Sequence, residues 1–215
     1  MNLYSVAIGS QYEKEAERLQ RTLDLSIDVF TKSSSKYVKQ DEDDLINGLY
    51  HKANFANYID NAEGPVIFMD ADMFTLKQNP FQDFYVNQDV DFAYVPYTGR
   101  WFLPDTIRQE ATDYHGHKIN SGFMYFKDLA TAKLICTKWR DIYLERCELY
   151  KLNTGNSKYE YDEWALMIVL KELDLNYQTL DRKWNEWELE TEDKIKDSDC
   201  IFIQHHDFLD IDIVK

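Results

Sequence analysis

The chain has 215 residues, of which 44% are hydrophobic and 15% aromatic, a composition that excludes an intrinsically disordered protein and supplies one substantial core. Its net charge of −15 disfavours nucleic acid and anionic membranes as general partners. No apolar run approaches the length that spans a bilayer, and the first residues lack the basic flank and long apolar core of a signal peptide. We therefore expect one domain over residues 1–215, in the cytoplasm.

The first part of the chain predicts a βαβ unit followed by another helix and strand. In chain order, the expected elements are a strand at 3–8, a helix at about 13–25, a strand at 27–31, a helix at about 45–59 and a strand at 66–69. Ser10 and Glu13 have the spacing of a capping box at the start of the first helix. A strand, helix and strand at this spacing imply two parallel strands joined by a right-handed crossover.

The second part of the chain continues the alternation of strands and helices. Strands are expected at 92–96, 119–126, 175–180 and 200–204, with one helix capped by Asp128 and another from about Asp162 to Leu173. Segments 97–118 and 152–161 are predicted to be loops, and Tyr97, Trp101, Phe102 and Tyr114 in the first of them are candidate platforms for a sugar ring. The three cysteines are expected to be reduced thiols, since Cys136 and Cys147 fall on one predicted helix, too far apart to bridge. The pattern predicts an α/β fold in layers.

Two carboxylates follow the most apolar predicted strand. Val66–Met69 is bounded by Gly64-Pro65 on one side and by Asp70-Ala71-Asp72 on the other. A strand cannot bury free carboxylates cheaply, so both acids are expected just past its carboxyl end, where parallel sheets open their ligand crevices. Two acids separated by one small residue can bind one hard cation, although a polar turn after a strand would contain the same residues.

Other candidate site residues have plain structural alternatives. Tyr12 lies in the turn after the first strand, Lys52 on a predicted helix, and Asn120-Ser121-Gly122 at a predicted strand entry near His117. Asp162-Glu163 suits either a helix N-terminus or an acid facing the crevice, and His205-His206 follows the last strand, where a metal ligand would lie. Taken singly, only the Asp pair rises above an ordinary surface or core interpretation.

Together and in this order, these motifs resemble those of a glycosyltransferase of the GT-A fold. They are Phe-Met-Asp-Ala-Asp, Asn-Ser-Gly, Asp-Glu-Trp-Ala-Leu, Leu-Asp-Arg-Lys-Trp-Asn and Ile-Gln-His-His, and the nearest resemblance is to nucleotide-diphospho-sugar transferases of the glycogenin and galactosyltransferase type. The resemblance spans about residues 4–207. It implies a three-layer α/β fold with a mostly parallel central sheet flanked by helices.

The resemblance also implies roles for individual residues. Asp70 and Asp72 match the metal- and nucleotide-binding Asp-x-Asp, and His205, or its neighbour His206, matches the late metal-binding His. The implied donor-binding residues are Ala7, Ser10, Tyr12, Lys52, Asp70, Ala71, Asp72, Asn120, Ser121 and Gly122. Asp162 and Glu163 match an acidic pair that lies beneath the anomeric carbon in some retaining members, and are the implied catalytic residues.

The implied activity is transfer of a sugar from a nucleotide-diphosphate sugar, with UDP as the expected nucleotide, to an acceptor hydroxyl, with Mn²⁺ or Mg²⁺ as cofactor and with retention of configuration. The acceptor can be a glycan, a lipid-linked sugar, a protein or a modified nucleic acid. The chain departs from the family in lacking a Gly- and Lys-rich tail after the His. Two alternatives are a haloacid-dehalogenase-type phosphatase, in which an Asp-x-Asp also follows a strand, and a non-catalytic sugar-nucleotide-binding module.

Overall fold

The computed structural model describes residues 1–23, 25–96, 119–156, 161–187, 189, 192–196 and 198–206. The strands are β1 Asn2–Val6, β2 Ile27–Phe30, β3 Val66–Met69, β4 Met73–Phe74, β5 Phe92–Pro96, β6 Ile119–Phe126, β7 Tyr177–Thr179 and β8 Ile203–Gln204. The helices are α1 Ser10–Thr22, α2 Asp44–Asn54, α3 Leu129–Thr154, α4 Asp162–Glu172 and α5 Glu192–Lys196, with short 3-10 turns at Phe55–Tyr58 and Arg182–Trp184.

The central sheet has six strands in the order β2-β1-β3-β6-β5-β7. All of them run parallel except β6, which pairs antiparallel with both β3 and β5. Strands β4 and β8 form a separate antiparallel pair, in which Met73 lies opposite Gln204. This arrangement confirms the predicted α/β fold with a mostly parallel central sheet.

Strand β3 is buried on both faces, as its apolar run predicts. Val66 and Phe68 belong to the core that lies under α2, α3 and α4, whereas Ile67 and Met69 belong to the core on the α1 side. Successive side chains of a strand point to opposite faces, so four consecutive apolar residues can fill both cores. The helices on the two faces and the sheet between them make the three layers.

Helix α3 shows how local sequence sets an element's limits. The Asp128 side chain accepts a hydrogen bond from the Thr131 N–H at 2.8 Å, which confirms the predicted cap, and Gly155 ends the helix at a φ of 71°. Cys136 and Cys147 both lie on this helix and are free thiols, as is Cys200. Although α3 has 26 residues, no helix of the described segments is both long enough and apolar enough to cross a membrane.

Two local predictions were wrong. Ser10 does not cap α1, because Gly9 has a φ of 107°, a conformation that favours glycine, and the chain has already entered the helix at Ser10. The predicted loop 152–161 begins later, because α3 continues through Thr154. The predicted loop 97–118, with His117 and the candidate platforms Tyr97, Trp101, Phe102 and Tyr114, lies outside the described residues.

We expect alanine to have opposite effects at two glycines. A Cβ on Gly122 in β6 would lie 2.5 Å from Asn185 Nδ2 and 2.7 Å from Gln204 Oε1, so Gly122→Ala should lower the free energy of unfolding by about 2 kcal/mol. A Cβ on Gly48, inside α2, would lie no closer than 4.0 Å to the nearest neighbouring atom, which belongs to Ile8. Gly48→Ala should therefore raise the free energy of unfolding by about 1 kcal/mol. Urea unfolding measures both changes. Equal stability of the Gly122→Ala variant and the native protein would contradict the close approach at β6.

Candidate active site

A cleft opens at one edge of the sheet, where β1 and β3 end and β6 begins. It consists of an inner cavity of about 190 Å³ and an outer cavity of about 380 Å³ that share Asp72, Gln204 and His206 as walls. The carboxyl ends of parallel strands are where α/β sheets present ligand sites. Several of the predicted site residues, among them Asp70, Asp72 and Glu163, line this cleft.

Asp70 follows β3 directly and is held by Lys52 of α2. The Lys52 Nζ lies 2.8 Å from each Asp70 carboxylate oxygen and 3.6 Å from Asp162 Oδ2. Burial alone would lower the pKa of Lys52, but the neighbouring carboxylates of Asp70, Asp162 and Glu163 outweigh it and raise that pKa. Burial raises the pKa of Asp70 to about 7, against the opposing effect of Lys52. The Lys52 ammonium thus offsets part of the negative charge at the end of β3.

The two carboxylate oxygens of Asp72 have different surroundings. Gln204 Nε2 donates to Asp72 Oδ2 at 3.2 Å, whereas Asp72 Oδ1 has no hydrogen-bond partner among the described residues. The backbone around it is fixed, because Arg18 Nη2 donates to the Asp72 carbonyl at 2.5 Å and to the His205 carbonyl at 2.7 Å. An unsatisfied buried carboxylate oxygen is costly, so a site built around one favours a cationic or hydrogen-bonding ligand.

The start of β6 positions an acid of α4. The Ser121 N–H donates to Glu163 Oε1 at 2.9 Å, and Ser121 Oγ donates to the same atom at 3.2 Å. Asn120 Oδ1 accepts from the Gly122 N–H and from Asn185 Nδ2, both at 2.7 Å. These bonds fix the Asn-Ser-Gly segment and the Glu163 side chain relative to each other.

The two predicted catalytic acids have different surroundings. Glu163 lines the outer cavity, and burial together with Asp162 raises its pKa to about 8. Asp162 is only 6% exposed, its carbonyl accepts from Trp139 Nε1 at 2.7 Å, and its carboxylate lies beside Lys52. Glu163 is thus the member of the pair that faces the cleft.

The two histidines after β8 approach Asp72 through different groups. His206 Nδ1 lies 3.1 Å from Glu15 Oε1 and 3.7 Å from Asp72 Oδ2, and the bond to Glu15 raises the pKa of His206 to about 9. His205 lines the outer cavity and donates its backbone N–H to the Asp72 carbonyl at 3.1 Å. The structure thus brings the backbone of one histidine and the ring of the other to Asp72.

The turn after β1 contributes one side chain to the inner cavity. Tyr12 lines it together with Val6 and Ile8, and the Tyr12 ring meets the His206 ring edge-on with centroids 6.3 Å apart. Of the other residues predicted there, Ala7 is fully buried beneath Tyr12 and Ser10 is exposed at the first turn of α1. Ala71 packs against Ala7 and also lines the cavity.

Sequence reasoning missed several residues that line the cleft or lie behind its walls. Glu15 is completely buried, its Oε2 has no partner among the described residues, and Arg18 and Gln204 bind the Asp72 region as given above. Asn185 reaches Asn120 from the Leu-Asp-Arg-Lys-Trp-Asn motif, which the sequence does single out. Glu15 and Arg18 carry no such signal, because a charged residue on an amphipathic helix is ordinarily solvated.

Asp70 and Asp72 fit a divalent cation better than the remaining predicted ligands do. A single atom, Gln204 Nε2, lies 3.2 Å from an oxygen of each carboxylate, so both can reach one point. Within the part of the chain that the structure describes, no three His, Cys, Asp or Glu side chains are arranged to share a metal ion. Two carboxylates with an unsatisfied oxygen nonetheless suit a hard cation that completes its coordination with other oxygen ligands.

Replacing Lys52 with Met is expected to lower the free energy of unfolding by about 3 kcal/mol at pH 8, because it leaves the buried carboxylates of Asp70 and Asp162 without their counter-ion. The loss should be smaller at pH 5. Without Lys52 the pKa of Asp70 rises further above its unfolded value, and a carboxyl with a raised folded-state pKa loses stability as pH rises. Urea unfolding at the two pH values measures the difference.

The control for this variant is Lys36→Met, which breaks the exposed pair with Asp60. It should change stability by no more than about 0.5 kcal/mol at either pH. An equal effect of the two substitutions would contradict the assignment of Lys52 as a buried counter-ion.

Comparisons with known proteins agree with this fold. The structure is similar to a glycosyltransferase involved in glycosylation of the major capsid of PBCV-1, with a TM-score of 0.56, 10% identity, and 95% of this chain and 92% of that chain covered. It is similar to mouse xyloside xylosyltransferase 1 (TM-score 0.53, 10% identity, 98% and 99% covered) and to the galactosyltransferase LgtC (TM-score 0.52, 12% identity, 95% and 87% covered). No curated protein matches the sequence. The model of the nucleotide-diphospho-sugar transferase family matches residues 13–200, and the chain belongs to that family of glycosyltransferases.

Proposed function

We propose that the protein transfers a sugar from a UDP-sugar to an acceptor hydroxyl with retention of configuration, and that it needs Mn²⁺ or Mg²⁺ to do so. The observation that carries this proposal is the Asp70–Asp72 pair at the end of β3, which faces the cleft with one buried carboxylate oxygen lacking a partner among the described residues. Membership in the transferase family excludes the haloacid-dehalogenase-type phosphatase that the Asp-x-Asp alone also allows.

Asp70 and Asp72 are the residues that would hold the cation, and His205 or His206 stays the sequence-based prediction for a further ligand. When bound, the cation would act as a Lewis acid and neutralise the negative charge that develops on the departing diphosphate. A cation also explains how a chain with a net charge of −15 can bind an anionic donor.

The nucleoside end of the donor is assigned to the inner cavity. Tyr12 offers an aromatic wall there, and Val6 and Ile8 add apolar surface. Lys52 also lines this cavity and places a positive charge near the proposed position of the donor phosphates. An aromatic wall and a positive charge in one cavity favour a ligand that has both a planar base and an anionic group.

The sugar end is assigned to the outer cavity, which Glu163 and Asn120 line together with Asp72. Ser121 holds the Glu163 carboxylate in place with two hydrogen bonds. A fixed carboxylate beneath the anomeric carbon would stabilise an oxocarbenium-like centre, which supports retention. Asp162 would act indirectly, through Lys52 and Ser121 Oγ.

The acceptor is proposed to be a hydroxyl of a glycan, a lipid-linked sugar, a protein or, least favoured by the charge, a modified nucleic acid. The solved relatives act in capsid glycosylation, xylosyl transfer and galactosyl transfer, so several acceptor classes are compatible with this fold. The proposed location is the cytoplasm.

The test is to incubate the protein with Mn²⁺ and a panel of nucleotide sugars and to follow release of free nucleoside diphosphate. Slow hydrolysis of one UDP-sugar that stops when EDTA is added is the expected result. Turnover of a generic phosphomonoester without turnover of any nucleotide sugar would contradict the proposal. Binding of a nucleotide sugar without turnover, in the presence of simple sugar acceptors, would instead indicate a non-catalytic binding module.

A further inference from the structure

The side chain of Gln204 lies between the two carboxylates of the Asp-x-Asp. Its Nε2 is 3.2 Å from Asp70 Oδ2 and 3.2 Å from Asp72 Oδ2. The pairing of β8 with β4 sets this position, because Gln204 lies opposite Met73, the residue after Asp72. One side chain of β8 therefore already reaches the point that both carboxylates share.

Neither histidine after β8 completes a metal site with the two aspartates, since no three His, Cys, Asp or Glu side chains of the described residues are arranged to share a metal ion. His205 contacts Asp72 through its backbone N–H. Because successive side chains of an extended chain point to opposite sides, the His205 side chain is expected to point away from the direction of the Gln204 side chain. His206 turns Nδ1 towards Glu15 at 3.1 Å, with Asp72 Oδ2 farther away at 3.7 Å. Glu15, a fully buried carboxylate, is thus the closer partner of the His206 ring.

The terminal amide of Gln204 can present oxygen as well as nitrogen. A half-turn about its last side-chain torsion exchanges Nε2 and Oε1, which differ little in size. The amide nitrogen would then lie on the side of Gly122 and Asn185, where Gln204 Oε1 lies 2.7 Å from the position of a Cβ on Gly122. The Asn185 amide approaches the same position through Nδ2, at 2.5 Å, and its Oδ1 is buried without a partner among the described residues, so the Asn185 amide can supply an acceptor on that side.

We propose that Gln204 supplies the third protein ligand of the cation through its side-chain oxygen, which makes an all-oxygen set with Asp70 and Asp72. The inference rests on the proposed function and gives its cation site a donor set without a ring nitrogen. Oxygen-only ligands suit hard cations such as Mg²⁺ and Mn²⁺, whereas an imidazole shifts preference towards later transition metals. The Gln204 side chain thereby sets which cation the protein uses.

The first test measures Mn²⁺ affinity in the presence of UDP, from the electron paramagnetic resonance signal of free Mn²⁺. Gln204→Ala is expected to weaken Mn²⁺ binding by about tenfold or more, and Gln204→Glu, which keeps an oxygen ligand and adds charge, to strengthen it. His205→Ala and His206→Ala should each stay within about threefold of the native protein. Circular dichroism confirms that each variant is folded.

The Gln204→Ala result also separates a ligand from a mere hydrogen-bond donor. If Gln204 only donates its N–H to the two carboxylates, its removal frees both of them and leaves Mn²⁺ affinity unchanged or higher. That result, or a loss of affinity confined to His205→Ala or His206→Ala, would overturn the inference.

The second test identifies the ligand atoms by pulsed electron paramagnetic resonance of bound Mn²⁺. The native protein should show no coupling to a directly bonded imidazole nitrogen, and Gln204→His should create one. An imidazole coupling in the native protein would overturn the inference, as would failure of the native protein to bind Mn²⁺ with UDP. Sugar transfer itself is judged separately, by nucleoside diphosphate release with and without EDTA, so the inference can fail while the proposed function stands.

Discussion

Replacing Asp72 with Asn is expected to reduce nucleotide-sugar turnover by a factor of about 100 to 1,000, in line with the loss of one preorganised electrostatic contact to a transition state. The substitution keeps the size of the side chain and leaves an oxygen that can accept from Gln204 Nε2. It removes the negative charge of the acid whose Oδ1 is buried without a partner among the described residues. The expected loss of turnover therefore comes from the removed charge and not from a change in the size of the side chain.

Stability should not fall together with activity in this variant. Burial raises the pKa of Asp72, which means that the folded protein holds this carboxylate at a cost. Since Asn is neutral, Asp72→Asn should melt at the native temperature or above it. Thermal unfolding followed by circular dichroism, alongside nucleoside diphosphate release, measures both effects on one sample.

Asp60→Asn is the matched control. The Asp60 side chain is 84% exposed and pairs with Lys36 away from the cleft. The turnover of Asp60→Asn should therefore equal that of the native protein within about twofold. A folded Asp72→Asn variant with native turnover would show that the Asp pair is not the cation site, whatever the outcome of the control.

The fold is predictable because its signals are local. The run Val66–Met69 predicts a strand buried on both faces, and the Asp128 cap predicts where α3 begins; both depend on neighbouring residues alone. The Ser10 cap was wrong because a backbone angle at Gly9, which no side-chain pattern reveals, decides how α1 starts. Errors of this kind move an element's end by a few residues and leave the topology intact.

The site is only partly predictable because its geometry depends on long-range pairing. Lys52 and Asp70 are separated by 18 residues and meet across the α2–β3 connection, which a helix followed by a strand makes plausible. The register of β8 against β4 has no local signal, yet a shift of one residue would exchange Gln204 and His205 at the cleft. The sequence offers both side chains, and only the sheet decides which one meets the Asp pair.

The burial of Glu15 on α1 likewise could not be predicted from the residues around it. Glu15 belongs to an ordinary amphipathic helix, and the sequence predicts nothing special for it. In the structure Glu15 is fully buried, and its Oε1 lies 3.1 Å from Nδ1 of His206, 191 residues later in the chain. A contact between residues so far apart in the sequence has no local signal, so the position of Glu15 beside His206 is visible only in the folded structure.

Replacing Glu163 with Gln is expected to lower kcat by a factor of about 100 to 1,000 while KM for the donor changes by less than about threefold. Gln keeps the length of the side chain and an oxygen that can accept from the Ser121 N–H. It removes the charge that faces the outer cavity. An interaction that is made mainly in the transition state should affect kcat and spare substrate binding.

The pH dependence should change as well. Burial and Asp162 raise the pKa of Glu163 to about 8, and the carboxylate is the proposed working form, so native turnover should rise as pH increases towards 8. This rise should be absent from the residual turnover of Glu163→Gln. The raised folded-state pKa also means that the native protein loses stability as pH rises through this range, so the Gln variant should be the more stable of the two at pH 8.

Glu172→Gln, at the other end of α4, is the matched control for this substitution. Glu172 forms an exposed ion pair with Lys138 outside the cleft, so its loss should leave kcat and the pH profile unchanged. A Glu163→Gln variant with native kcat would exclude Glu163 from the chemistry and return the role to Asp162. A higher KM for the donor with kcat unchanged would instead assign Glu163 to binding, because an acid that only holds the sugar stabilises the ground state and the transition state alike.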